Sequence, residues 1–362
     1  MPSSNMPTIT PKKELNYLRI LFFTFGLGIM SWVPRFPEVK EALKLTNGGF
    51  GSLISTGALG SLISLLTVGH VVHKIGVKRV LYVASFFLMA TLIVLTTVDS
   101  SLIFFFANIA FGASISAFHI AINAQGFNYQ DRTGKFIITQ MSGLWSAGAL
   151  ITAFLSGFLV DRVSLHFHIA VLTAFVFLIQ VFIIHSLESA LLKENQDVNI
   201  EYKLKELFAG FSFDRLVSFG LICAIFLEFA LSDWATIYTK EEIGIKGGLN
   251  TLPFILFTMW MIFGRFTVHY LLPRFTLERL AIAASLLAGI SFLVSVFLAR
   301  TVFASNQDIA FLVICIGFSI AGLGSSFLGP TFMAAANTRS KHPASVVIGH
   351  IGVANIVLAF IL

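Results

Sequence analysis

Residues 166–187 read HFHIAVLTAFVFLIQVFIIHSL, a run of 22 residues without Asp, Glu, Lys or Arg. An α-helix needs about 20 consecutive apolar residues to cross the hydrocarbon core of a bilayer. This run therefore predicts a membrane-spanning helix. Similar runs recur along the chain and predict eleven spans, at about 16–34, 49–72, 79–98, 101–127, 137–160, 166–187, 216–239, 250–272, 279–300, 308–331 and 344–362.

The composition supports the same class. Of the 362 residues, 56% are hydrophobic and 12% are charged, with a mean hydropathy of +0.88. Soluble domains carry about 25% charged residues, so the chain has about half the usual charge. These values exclude a water-soluble enzyme, a nucleic-acid-binding protein and a disordered chain. They indicate an all-α polytopic membrane protein.

The predicted spans fall into two groups. The long polar stretch at 188–215 separates six spans in residues 1–187 from five in residues 216–362. We expect two pseudo-symmetric helical bundles joined by this linker. The last apolar run stops at Leu362, so the second bundle is either naturally short or lacks a twelfth helix in this sequence.

The distribution of Lys and Arg predicts the orientation. With the N-terminus in the cytoplasm, sixteen of the 24 basic residues lie in cytoplasmic loops and seven lie outside; Arg265 is within a span. Short cytoplasmic loops are enriched in Lys and Arg. We therefore expect a bacterial inner-membrane protein whose N-terminus and 188–215 linker face the cytoplasm.

Basic turns follow spans two and eight, six spans apart, as HKIGVKRVL from His73 and PRFTLERLA from Pro273. Two repeated halves joined by a long cytoplasmic loop are typical of transporters built from parallel repeats. Motifs for ATP binding or nucleophilic catalysis are missing from the sequence. The chain is therefore not expected to be an enzyme or to need a cofactor or metal, and uphill transport would draw on an ion or solute gradient.

Several segments resemble the major facilitator superfamily. GHVVHKIGVKR at 69–79 is similar to its G-x-L-x-D-R-x-G-R-R signature, with His73 where the family usually has Asp. An ordered set resembles the YbjJ-like, fucose-permease-like branch: SWVPRFP at 31–37, AFHIAINAQG at 117–126, GLWSAG at 143–148, EFALSDW at 228–234 and GRF at 264–266. His119 and His269 also stand where we expect acidic residues. The resemblance implies alternating access and a sugar-like or related solute.

Span seven carries two carboxylates, Glu228 and Asp233, within a predicted membrane-spanning helix. Glu228 falls near the bilayer midplane, where a carboxylate costs several kcal/mol unless it is paired or protonated. We interpret it as a substrate-binding and proton-coupling residue, with structural locking to another helix as the alternative. Asp233, nearer the outer surface, is a further substrate-binding candidate.

A stripe of small and polar residues follows one face of span four: Asn108, Gly112, Ser116, His119 and Asn123. Such a face must contact protein or a water-filled cavity. His119 is the residue of the stripe that can titrate near neutral pH, so it is a substrate-binding and coupling candidate, with a neutral structural histidine as the alternative. Asn123 is a substrate-binding candidate.

Three tryptophans, Trp32, Trp145 and Trp234, are also substrate-binding candidates, since aromatic faces beside polar groups suit sugar-like ligands. Their alternative is interfacial anchoring, and Arg35 can snorkel outward. We expect Trp32, His119, Asn123 and Glu228 to line one cavity, because the resemblance implies that spans one, four and seven surround it.

The resemblance also implies a gating role for Arg265, together with His73, Lys74, Lys78 and Arg79, at the cytoplasmic helix ends. Small residues at Thr56, Gly60 and Ser64 and at Ala149, Ala153 and Gly157 indicate close helix packing. We expect a monomeric, ion-coupled transporter, a symporter with the proton as the candidate coupling ion, for a small polar solute. The alternatives are a drug or metabolite exporter and a non-transporting sensor or assembly factor of the same fold.

Overall fold

A computed structural model describes residues 9–135, 137–193, 215–271, 274–329, 331–332 and 353. Every regular element in these residues is a helix. The α-helices are α1 Pro11–Ile29, α2 Phe36–Ala42, α3 Asn47–Ser55, α4 Gly57–Thr97, α5 Ser101–Thr133, α6 Ile138–Leu159, α7 Leu165–Ser186, α8 Arg215–Glu241, α9 Leu252–Leu271, α10 Leu277–Phe303 and α11 Gln307–Ser325.

Within the described residues, ten helical segments are long and apolar enough to cross a membrane. They correspond to the first ten predicted spans, and the all-α membrane class is confirmed. The eleventh predicted span, 344–362, lies outside the described residues except for residue 353.

The first helix begins and ends five residues earlier than the predicted span 16–34. α1 ends at Ile29, and a 3₁₀ turn at Val33–Arg35 leads into α2. Pro34 and Pro37 have no backbone N–H to donate, so an α-helix cannot run through this segment without losing hydrogen bonds. Trp32 consequently lies in the break and not in a helix.

The predicted loop after span two is shorter than expected. Helical residues continue through it, and the chain turns at Gly76, whose φ of 81° and ψ of 159° interrupt α4. This conformation is open to glycine because glycine has no Cβ. The turn brings the backbone N–H of Val77 to the carbonyl of Leu192, at 3.0 Å.

Close packing of α3 and α4 on α5 follows the predicted small residues. A Cβ on Gly60 would lie 1.8 Å from the carbonyl oxygen of Ile109. Beside it, Nδ2 of Asn108 donates to the carbonyl of Ile54 at 2.7 Å and to Oγ1 of Thr56 at 3.1 Å. The interpretation of this face as a packing surface is confirmed.

The chain forms two compact units that interleave along the sequence. Unit 1 contains Met1–Ile29, Leu43–Ala149 and Ile169–Ser212, and unit 2 contains Met30–Ala42, Leu150–His168 and Phe213–Leu362. Two segments of the predicted first half, 30–42 and 150–168, thus belong to unit 2. The predicted division at the 188–215 linker remains a prediction.

Candidate functional site

The centre of unit 2 holds an ion pair between α8 and α9. Glu228 is the middle residue of α8, a helix of 27 residues. Its Oε2 lies 3.5 Å from Nη2 of Arg265, and their side chains are 24% and 15% exposed. A buried charge needs such a partner, so the arrangement explains how α8 can carry a carboxylate at this depth.

Arg265 also connects α9 to the end of α11. Its Nε donates to the carbonyl of Ser326 at 3.0 Å. A Cβ on neighbouring Gly264 would lie 2.4 Å from Oγ of Ser326, so glycine permits this close approach. The resemblance placed Arg265 with the basic residues at the helix ends; the structure places it against the mid-span carboxylate, and its gating role remains a prediction.

The remaining predicted residues of span seven differ from Glu228 in their contacts. Oγ of Ser232 donates to the backbone carbonyl of Glu228 at 2.8 Å, not to its carboxylate. Asp233 is half-buried and makes no hydrogen bond or ion pair within the described part of the chain. Trp234 is 36% exposed.

In unit 1, the polar stripe of α5 separates into packing and accessible parts. Asn108 is buried against α3, whereas His119 is exposed, with its ring centroid 6.3 Å from that of Phe25 on α1. Asn123 is half-buried and donates to the carbonyl of His119 at 2.8 Å. Trp145 on α6 is half-buried. A common cavity for these residues, Trp32 and Glu228 remains a prediction.

Arg35 was expected to snorkel outward as one alternative, and this is wrong. The side chain is 1% exposed. It makes two bonds of 2.7 Å to the carboxylate of Glu38, donates to the carbonyl of Val163 at 2.8 Å and lies 3.4 Å from Nδ1 of His168. These partners satisfy the guanidinium inside unit 2, so it does not need to reach water. Trp32 is buried nearby, with an edge-to-face contact to Phe36.

Two reciprocal ion pairs connect α2 to the end of α8. Lys40 pairs with Glu241, and Lys240 pairs with Glu41. We call these four residues the outer latch, because the predicted topology places them outside. Sequence reasoning missed the latch; its only signal was a Lys-Glu dipeptide at each of two predicted outer span ends.

A second missed cluster lies at the predicted cytoplasmic end of unit 1. The buried carboxylate of Glu14 accepts from Nε2 of Gln125 at 3.0 Å and from Arg132 at 2.6 Å. Gln125 also donates to the carbonyl of Ala190, at 2.9 Å, and accepts from the N–H of Leu192, at 2.9 Å. One amide side chain therefore holds the start of the linker against α1 and α5.

The basic turn of α4 contributes one further contact to this cluster. Lys78 pairs with Glu188, and the hydrogen bond and charge of the ammonium group lower the pKa of the exposed carboxyl. Lys74 and Arg79, both predicted for gating, are exposed. The side chains of His73 and His269 lie outside the described residues.

Metal chemistry has no candidate among the described residues, which contain no group of three or more His, Cys, Asp or Glu side chains able to hold an ion. The two described cysteines, Cys223 and Cys315, are free thiols. Long apolar helices, an ion pair in the middle of a span and charged clusters at span ends define a polytopic membrane protein of the transporter class.

The family model of the Major Facilitator Superfamily matches residues 18–361, and the chain belongs to this family. An uncharacterized MFS-type transporter of Yersinia pestis is 23% identical over 341 residues, covering 92% of this chain and 83% of that protein. Membrane protein MosC of Rhizobium meliloti is 22% identical, covering 91% and 78%. The fucose-permease-like branch remains a prediction.

Solved structures show the same fold. A mutant form of the nucleoside transporter NupG superposes with a TM-score of 0.69 at 13% identity, covering 95% of this chain and 87% of that one. A D-xylose-proton symporter superposes with a TM-score of 0.65 at 14% identity, covering 96% and 88%. Membership of this family points to a transport role, and the superpositions show the shared fold.

Proposed function

We propose that the protein is a secondary active transporter that moves a small polar solute across the bacterial inner membrane by alternating access, coupled to protons. The sugar-like or related solute class follows from the resemblance and is supported by the nucleoside and xylose transporters of the same fold. The protein acts as a monomer, with its N-terminus in the cytoplasm. The observation that carries the proposal is the ion pair between Glu228 and Arg265.

This ion pair offers a direct coupling mechanism. A proton and the Arg265 guanidinium compete for the same carboxylate, because protonated Glu228 carries no charge to attract a cation. Arg265 keeps its bond to the carbonyl of Ser326, so loss of the pair frees α8 while α9 stays bound to the end of α11. Protonation would therefore change the contact between two helices of unit 2, which is what coupling requires.

The outer latch supports alternating access. Its four side chains lie at helix ends, and three of them are between 29% and 61% exposed. Exposed ion pairs contribute only about 0–1 kcal/mol each. Such contacts can hold one conformation and still open within a transport cycle, as a gate must.

The test is uptake into proteoliposomes of D-xylose, L-fucose and uridine under an imposed pH gradient. For the solute that accumulates, we expect Glu228→Gln to abolish accumulation while counterflow exchange is retained, since Gln keeps the size but cannot titrate. Glu242→Gln, an exposed position just beyond α8, is the matched control and should behave like the parent protein.

His119→Gln belongs in the same assay, because His119 is the rival proton site. Accumulation by Glu228→Gln at the parental level would contradict the coupling role of Glu228. Loss of both accumulation and exchange in a well-folded Glu228→Gln protein would instead assign Glu228 to solute binding.

A further inference from the structure

A cavity of about 380 Å³ lies beside the outer latch, entirely within unit 2. Its wall is formed by the segment around α2, the loop between α6 and α7, the end of α8 and the connection from α8 to α9. Ligand pockets usually measure about 300–1,000 Å³, so a molecule of monosaccharide size fits. The wall contains three basic and three acidic side chains, namely Arg35, Arg162, Lys240, Glu38, Glu41 and Asp161.

Most of these charges already have partners. Arg35 is paired with Glu38, and Lys240 is paired with Glu41. Arg162 donates to the carbonyl of Phe158, and its guanidinium lies 4.3 Å from the centroid of the same residue's ring. The wall is therefore neutral as a whole, and four of its six charges are held in two ion pairs.

Two acceptors in the wall are left without donors. The carboxylate of Asp161 is exposed to solvent and makes no hydrogen bond or ion pair with protein groups within the described residues. Asn250 is 4% exposed, and its Oδ1 has no hydrogen-bond partner among them. A buried amide oxygen without a donor costs free energy, so an occupant whose N–H or O–H group reaches Oδ1 of Asn250 would be favoured.

We propose that this outer cavity is a second solute site, which binds a neutral polyhydroxylated molecule before the latch opens. Hydroxyl groups donate to the free acceptors and accept from the fixed cations, which suits a wall of mixed sign. An organic cation would meet three basic groups and an anion three carboxylates. The proposal rests on the proposed function in one respect: the occupant is taken to be the transported solute.

The test measures protection of a cysteine in the wall. Ser164 lines the cavity and is exposed, so Ser164→Cys is placed in a Cys223→Ala, Cys315→Ala background. Its labelling rate with a membrane-impermeant maleimide is measured on intact cells, with D-xylose, L-fucose or uridine and with choline or succinate. Leu249→Cys, which is 61% exposed and outside the wall, is the matched control and reports the accessible side.

We expect at least one neutral solute to slow labelling of Ser164→Cys threefold or more. Choline and succinate should leave this labelling rate unchanged, and the neutral solute should not slow labelling of Leu249→Cys. Asn250→Leu should remove the protection. Equal protection by choline or succinate, no protection by any neutral solute, or protection that survives Asn250→Leu would overturn the proposal.

The same measurement in the Glu228→Gln background separates the two proposals. The outer cavity does not contain Glu228, so protection should persist when accumulation is lost. Normal accumulation without protection would reject the outer site alone. Protection in a protein that accumulates none of the solutes would reject proton-coupled transport of those solutes and leave the outer site standing.

Discussion

Arg265 and Glu228 lie 37 residues apart in the sequence, and their side chains approach to 3.5 Å in the middle of α8. The pair joins α8 to α9, and through Ser326 it reaches the end of α11. The proposed site for proton coupling and a structural tie between three helices therefore share the same atoms.

The ion pair should behave as a unit in a double-mutant cycle. Arg265→Gln leaves the half-buried carboxylate of Glu228 without this cation, and removing one partner of such a pair is destabilising because the remaining charge is uncompensated. We expect Arg265→Gln to lower the Tm of the detergent-solubilised protein, measured by intrinsic fluorescence. The double variant Glu228→Gln, Arg265→Gln should recover part of the loss. Strictly additive effects would show that the pair contributes nothing.

Gly60 should not tolerate a side chain. Alanine there would place Cβ 1.8 Å from the carbonyl oxygen of Ile109, so α4 and α5 would have to separate. Overpacking of this kind costs about 1–3 kcal/mol, and Gly60→Ala should lower the Tm measurably. Gly69→Ala on the same helix is the control, because nothing lies within 4 Å of its Cβ. Equal Tm values for the two variants would contradict the close packing.

The attachment of the linker start to α4 should weaken in acid. Lys78 lowers the pKa of Glu188 below its ordinary value of 4.5. The stabilisation is therefore present above about pH 4.5 and is lost as the pH falls through the lower, folded-state pKa. Hydrogen exchange of the Val77 and Leu192 amides should accelerate over that window, and Lys78→Gln should flatten the dependence. If hydrogen exchange in Lys78→Gln kept the parental pH dependence, the pair of Lys78 and Glu188 would not be what holds the linker start.

The outer latch should open during transport. A Glu41→Cys, Lys240→Cys pair in the cysteine-free background should be bridged by a short bifunctional methanethiosulfonate, because the parental side chains are in contact. Uptake should fall after cross-linking and return with reductant, whereas each single variant should keep its uptake after both treatments. Full uptake by the cross-linked protein would mean that this contact persists throughout the cycle.

The predicted topology can be tested by labelling introduced cysteines with a maleimide. Asp197→Cys, in the predicted cytoplasmic linker, should react with an impermeant maleimide only after permeabilisation. Leu249→Cys, at the predicted outer end, should react in intact cells. The reverse pattern would invert the orientation inferred from sixteen inner and seven outer basic residues.

The sequence by itself determined the membrane class and the positions of the first ten spans. It also identified Glu228 as a candidate functional residue within a span. Spans can be recognised from consecutive residues alone, because each span must contain about 20 apolar residues in a row whatever it packs against. The depth of Glu228 followed by counting within one span. The small residues around Gly60 were likewise identified from spacing on a helix, which depends on local geometry.

Only the tertiary structure decided which charges meet. Glu228 and Arg265 lie 37 residues apart in the sequence. The contact between Arg35 and His168 joins residues 133 apart, and the pair of Lys40 and Glu241 joins residues 201 apart. Hydropathy and helical periodicity carry no information about such contacts, because they depend on how whole helices pack. Arg35 illustrates the point: alone at a span end it would reach for water, but Glu38, Val163 and His168 satisfy it inside the protein.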